Sequence, residues 1–113
     1  MDIFLLIDNE KALIKITGKL NNKNYLHFQK KLNKITAINQ KEYNAETGKS
    51  IVRLEIDLSD CLFINHYFVN ILLNFYQVFS VKNQKIEITN CSEDIYFTLT
   101  TIKLNQLIEI TRK

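Results

Sequence analysis

Apolar and polar residues change rhythm along this chain in a way that predicts alternating strands and helices. Ile3 to Ile7 and Ala12 to Thr17 predict two strands joined by the polar Asp8 to Lys11, a connection of hairpin length, with Gly18 ending the second. After Asn21, Asn22 and Asn24, the residues Tyr25, Phe28, Leu32 and Ile35 recur at spacings of three and four, which predicts a first helix of about four turns. Ala37 to Ser50 is polar, contains Gly48, and reads as a loop long enough to suggest a role in contacts. In Ile51 to Asp57 the apolar Val52, Leu54 and Ile56 alternate with Arg53, Glu55 and Asp57, which predicts a central strand that ends in a polar loop.

From His66 to Val81 the residues Phe68, Ile71, Leu72, Phe75, Val78 and Phe79 fit the spacing of a helix that buries one face. A second apolar line, Val69, Leu73 and Tyr76, exceeds what a helix on one face of a sheet needs, and surplus apolar surface points to an interaction site. Lys85 to Thr89 predicts a short strand. Ser92 caps a third helix through about Ile102, with Glu93 and Asp94 complementing its positive end, and Leu107 to Ile110 predicts a last strand. The order β, β, α, β, α, β, α, β is an α/β arrangement with at least one right-handed crossover. No repeat or linker divides residues 1–113, so a single domain is expected.

Composition narrows the function classes. Hydrophobic residues make up 46% and charged residues 24%, ordinary values for a globular protein. The net charge of +3 is uneven, with nine lysines between Lys11 and Lys49 against Glu42 and Glu46. These lysines fit a solvated helix face and two loops. Without the interleaved aromatic residues of single-strand binders or a reading helix, nucleic acid is not the expected partner. Ile3 to Ile7 is too short for a signal segment, nothing is long enough to span a bilayer, and a cytoplasmic protein without membrane insertion is expected. Cys61 and Cys91 lack metal-ligand spacing and read as free, buried thiols; His27 and His66 sit in no ligand motif. No carboxylate pair, Cys/His pair or Ser/His/Asp set comes together, and Gly18 and Gly48 alone cannot build a phosphate loop, so neither catalysis, metal nor cofactor is expected.

Several segments resemble one family. Ala12-Leu13-Ile14-Lys15-Ile16-Thr17-Gly18-Lys19-Leu20 is similar to the opening of STAS domains, the fold of anti-sigma factor antagonists, where an apolar strand runs into a Gly-x-Leu turn. Val52-Arg53-Leu54-Glu55-Ile56-Asp57-Leu58-Ser59, then Phe63-Ile64, resembles the family's strand ending in Asp-Leu-Ser, and Lys85 to Thr89 leading to Ser92, Leu104 and Ile108 resembles its end. The resemblance implies a mixed sheet of four or five strands with helices mainly on one face, in a non-enzymatic regulatory module.

In phosphorylatable members Phe-Ile is followed by Asp-Ser-Ser-Gly, whose second serine is phosphorylated by a partner kinase that is also the anti-sigma factor. Here the aligned residues are Asn65-His66-Tyr67-Phe68. Asn65 can still cap the helix. Tyr67 replaces the phosphoserine with a phenol too bulky for a Ser/Thr kinase, and Phe68 replaces a glycine that lets a partner's backbone approach. A switch at Tyr67 is therefore not expected. One reading makes His66, Tyr67 and Phe68 a permanent aromatic knob continuous with Val69, Leu73 and Tyr76; the other turns Phe68 into the core and leaves Tyr67 covering a strand end. Thr89 and Ser92 flank the start of the third helix, where some stressosome-type members carry a second phosphorylated threonine, although capping alone explains Ser92.

The implied partners are a kinase-like anti-sigma factor, a phosphatase or another STAS protein. Alternatively, the chain is a cytosolic STAS subunit supporting the ATPase of an ABC-type lipid transporter. The surplus apolar line suits a homodimer as readily as a foreign partner.

Overall fold

In the computed structural model, residues 2–40, 50–79 and 84–113 are described. The elements are β1 (Asp2–Asp8), β2 (Lys11–Lys19), α1 (Tyr25–Gln40), β3 (Arg53–Phe63), α2 (His66–Phe79), β4 (Lys85–Cys91), α3 (Glu93–Thr101) and β5 (Glu109–Arg112), with one 3-10 turn at Leu104–Gln106. They build a five-stranded sheet in the order β1-β2-β3-β4-β5. β1 and β2 form an antiparallel hairpin, and each later strand adds parallel to the one before it. Because every parallel step moves the same way across the sheet, connections of one hand deliver all three helices to one face. β3 is the middle strand, as its alternation predicts.

Burial follows this one-sided arrangement. Ala12, Ile14 and Ile16 of β2, Leu54, Ile56 and Leu58 of β3, and Ile86 and Ile88 of β4 are buried under the helices. The residues between them, Lys15, Glu55, Asp57, Glu87 and Thr89 among them, form the open face. Above the sheet, Phe28 of α1 and Phe68 of α2 are both fully buried, and their rings stack at 4.9 Å with an interplanar angle of 21°.

Several element boundaries differ from the sequence reading. α1 continues through Gln40, so Ala37 to Gln40 belong to the helix and not to the expected loop; residues 41–49 of that loop lie outside the described residues. The Asn39 amide reaches across to Ile51, accepting from its N–H at 2.8 Å and donating to its carbonyl at 3.0 Å, a long-range tie that holds the last helical turn. The predicted end of α2 at Val81 falls within residues 80–83, also outside the described residues.

β3 begins at Arg53 and does not end near Asp57; it runs on to Phe63. Its register against β2 slips between the Lys15–Asp57 and Thr17–Asp60 pairs. At the slip the Asp57 carboxylate accepts the Ser59 N–H at 2.9 Å, so the Asp-Leu-Ser segment makes a bulge inside the strand. Ser59's N–H and hydroxyl hold the Asp57 carboxyl below its usual range although burial pushes the other way. Gly18 takes φ 84° beside the second slip, between Gly18 and Lys19, in the left-handed region that glycine enters without cost. β5 is shifted by two residues from the expected segment, because Leu107 closes the 3-10 turn and Ile108 is buried before the strand starts.

Phe28→Ala and Phe68→Ala should each cost roughly 3–5 kcal/mol of stability in urea unfolding, as for other fully buried rings. A double-mutant cycle should return a coupling of about 0.5–1.5 kcal/mol for the stacked pair.

Candidate functional site

The head of α2 is built by two polar side chains and two rings. Asn65 precedes the helix, and its Oδ1 accepts the Phe68 N–H at 3.2 Å, the N-cap geometry expected of it. Its Nδ2 donates to Asn22 Oδ1 at 2.9 Å, which ties the helix start to the loop leaving β2. That loop braces itself: Asn24 accepts from Asn21 N–H and donates to the Lys19 carbonyl, and Asn21 accepts from Lys23 N–H. The asparagines between Gly18 and Tyr25 thus position α2 as well as opening α1.

Phe68 is no part of an exposed knob; it lies in the core, stacked on Phe28. With Phe68 pointing inward, Tyr67, about 100° away around the helix, is delivered to the α1 side. There its half-buried ring stacks on Tyr25 at 4.4 Å and 16°. His66 is exposed and lies across Tyr67 with ring centroids 4.2 Å apart. Tyr25, which the sequence reading assigned only to the apolar stripe of α1, is therefore the partner of the residue at the phosphosite-equivalent position. Its spacing of three from Phe28, matching the adjacent pair Tyr67 and Phe68, carried that signal.

Val69, Leu73 and Tyr76 are half-buried on the other flank of α2. Tyr67 does not join them: the turn from Tyr67 to Val69 is about 200°, which puts the two on opposite sides of the helix. Val69 and Leu73 instead form one wall of a groove of about 430 Å³ whose other wall comes from α3 and the 3-10 turn. Ile64 and Leu104 line its floor, and Ile102 and Leu107, each 51% exposed, line it on the side away from α2. His66 also lines this groove, so it is the residue that touches both flanks.

Thr89 and Ser92 have separate tasks. Ser92 caps α3, accepting the Ile95 N–H at 3.2 Å. Thr89 lies on the sheet, and its hydroxyl donates to Glu55 at 2.8 Å. Glu55 also accepts from Lys11 at 3.0 Å, and these two donors, Thr89 first, hold its carboxyl below the usual range. A phosphate on Thr89 would face that carboxylate, a repulsive pairing. Cys61 and Cys91 are buried free thiols, both pushed up in pKa by burial and therefore poor nucleophiles. Among the described residues, no group of three or more His, Cys, Asp or Glu is placed to hold a metal ion, and no helix is long and apolar enough to cross a membrane.

Replacing Asn65 by Ala should cost about 1 kcal/mol in thermal or urea unfolding, whereas Asn65→Asp, which keeps the capping oxygen but not the Nδ2 bond to Asn22, should lose less. Thr89→Val should lose about 1 kcal/mol at neutral pH. The loss depends on pH, because a lowered folded pKa stabilises above the unfolded value of ~4.3 and stops doing so as pH falls through the folded value. The difference between wild type and Thr89→Val in melting experiments should therefore shrink as the pH drops below about 4.

No protein-family model matches the chain, and no curated protein matches it in sequence. Solved structures do match. An anti-sigma factor antagonist from Mycobacterium paratuberculosis superposes with a TM-score of 0.76 at 13% identity, over 99% of this chain and 86% of that one. The anti-sigma factor antagonist SpoIIAA in its unphosphorylated form matches with a TM-score of 0.67 at 16% identity, over 99% of this chain and 88% of that one. The Bacillus cell fate determinant SpoIIAA in its phosphorylated form matches with a TM-score of 0.69 at 14% identity, over 96% and 90%. A one-sided, five-stranded mixed sheet with three crossover helices, matched end to end by these structures, gives this chain the STAS fold of the anti-sigma factor antagonists.

Proposed function

We propose that this chain is a non-enzymatic regulatory module that binds its protein partner constitutively, through the head of α2 and the groove between α2 and α3. The observation that carries this reading is the set of three rings at the phosphosite-equivalent position: Tyr67 is stacked on Tyr25 and crossed by His66, where a switchable member presents a small hydroxyl. A ring held in contact with two others is a fixed feature, suited to a permanent anchor. On the opposite flank of α2, linked to the rings through His66, the groove offers Val69, Leu73, Ile102 and Leu107 as apolar contacts, with Asn70, Thr98 and Lys103 as a polar rim. An apolar centre within a polar rim is the composition of a protein interface. The occupant is a cytosolic regulator of the kinase-like or phosphatase class, and binding does not wait on phosphorylation.

The test is an affinity capture from native cells with soluble and membrane fractions kept apart, comparing wild type with Ile102→Asp and Leu73→Asp. Ile102 is half exposed, so its variant should fold as wild type does, which a thermal melt checks. A soluble kinase-like or phosphatase regulator should be recovered by wild type and reduced about tenfold or more by either variant, since a charge in an apolar interface leaves an unpaired, desolvated group. Equal recovery by both variants would remove the groove from the interface. Recovery of a transporter ATPase from the membrane fraction would replace the regulatory reading with that of a transporter subunit.

A further inference from the structure

β1 lies at the edge of the sheet, and no strand among the described residues pairs with its outer side. It lacks the usual protections of an edge strand. Asp2-Ile3-Phe4-Leu5-Leu6-Ile7-Asp8 has no proline and no charge between its end residues, and its register with β2 is continuous, without a bulge. Phe4 is 54% and Leu6 64% exposed on the open face of the sheet, opposite Lys15 and Leu13. At this edge a cleft of about 360 Å³ runs from the start of β1 to α1, lined by Asp2, Ile3, Phe4, His27, Lys30, Lys31 and Lys34. α1 holds no acidic residue, and none of these three lysines forms an ion pair among the described residues.

We propose that the outer edge of β1 is a strand-addition site for an extended segment of another protein in which apolar and acidic residues alternate. The chemistry of the two faces selects this occupant. A sixth strand beside β1 presents alternate side chains to the two sides of the sheet. Apolar residues on one side extend the Phe4 and Leu6 surface, and the intervening residues meet the lysine row of α1. Lys30 and Lys34 are one turn apart, about 6 Å of rise, close to the ~6.8 Å between alternate residues of a strand, so successive carboxylates have successive partners. The backbone bonds of an added strand supply affinity and these side chains supply selectivity.

Charge disfavours a second copy of this chain. Antiparallel self-pairing over the whole of β1 sets Asp2 opposite Asp8 at both ends, and like charges directly opposite are destabilising. The twofold axis of such a pair is perpendicular to the sheet, so both α1 helices fall on the same side of the seam with their lysine rows facing one another.

The test titrates the full chain with a fluorescent peptide of about seven residues alternating glutamate with valine, the length of a typical strand. Anisotropy reads binding, and amide hydrogen exchange by NMR reads its location. Saturable binding is expected, with protection of β1 amides and a loss of affinity of about tenfold or more in the double variant Lys30→Glu, Lys34→Glu. A peptide with lysine at each glutamate position should not bind. Failure of the acidic peptide to bind, binding without protection of β1, or undiminished binding by the charge-reversed variant would each overturn the proposal. So would tighter binding of oligothymidylate, which would make the lysine row a polyanion surface, or a concentration-dependent dimer in sedimentation that Leu6→Lys abolishes. Ile102→Asp should leave peptide binding unchanged, which separates this edge from the α2 groove.

Discussion

The stack of Phe28 on Phe68 determines how the helices sit on the sheet. Both rings are wholly buried and come from neighbouring helices, so their contact sets the rotation of α2 about its own axis as well as its distance from α1. In a close-packed interior a helix cannot rotate by a few tens of degrees without opening voids. Once Phe68 points at the sheet, every other side chain of α2 has its direction: Leu72, Phe75 and Phe79 join the core, Tyr67 turns to α1, and Val69 and Leu73 turn to α3. A second ring pair, Tyr25 on Tyr67, repeats the contact nearer the surface. The same residue pairs that lock the two helices together thus carry the core at one end and the candidate site at the other.

The sheet supplies the second constraint. Adding each parallel strand on the same side of the previous one keeps the helices on one face and leaves the other open. The open face answers with charge: Lys11 and Thr89 satisfy Glu55, Lys15 pairs with Asp60 at 3.2 Å, and Lys85 pairs with Glu109 at 3.0 Å. The Lys15–Asp60 and Lys85–Glu109 pairs are largely solvated and contribute solubility and register more than stability, whereas the half-buried Glu55 is held by its hydrogen bonds. Along β1 that polar cover stops, and Phe4 and Leu6 take its place.

Much of this was legible because local patterns and tertiary demands agree. The alternation in β2, β3 and β4, the stripe from Tyr25 to Ile35, the caps at Asn65 and Ser92 and the central place of β3 all follow from periods and capping chemistry. The failures occur where a long-range contact overrides a local signal. Ala37 to Gln40 looks like loop until Asn39 meets Ile51. Asp57-Leu58-Ser59 looks like a turn, and locally it is one, but the strand resumes beyond it because Asp60, Cys61 and Phe63 still find partners in β2. The apolar surplus on α2 was visible in the sequence; its division was not. A list of apolar residues does not show that Tyr67 and Val69 face opposite ways until Phe68 has been assigned to the core.

That division bears on how a domain of this fold can work without a serine at the head of α2. In a switchable site the modified group and the docking surface must be adjacent, so that two negative charges alter the contact directly. Here the residue at the modified position leans on α1, and the groove suited to docking opens toward α3, with His66 touching both. A change at Tyr67 would reach the groove only by disturbing the stacked rings, and those rings share their helices with the core. Regulation imposed there would act against the stability of the whole domain, whereas regulation through the amount or availability of a partner would not. Under the function proposed above, binding would accordingly be fixed and control would lie in what the module meets.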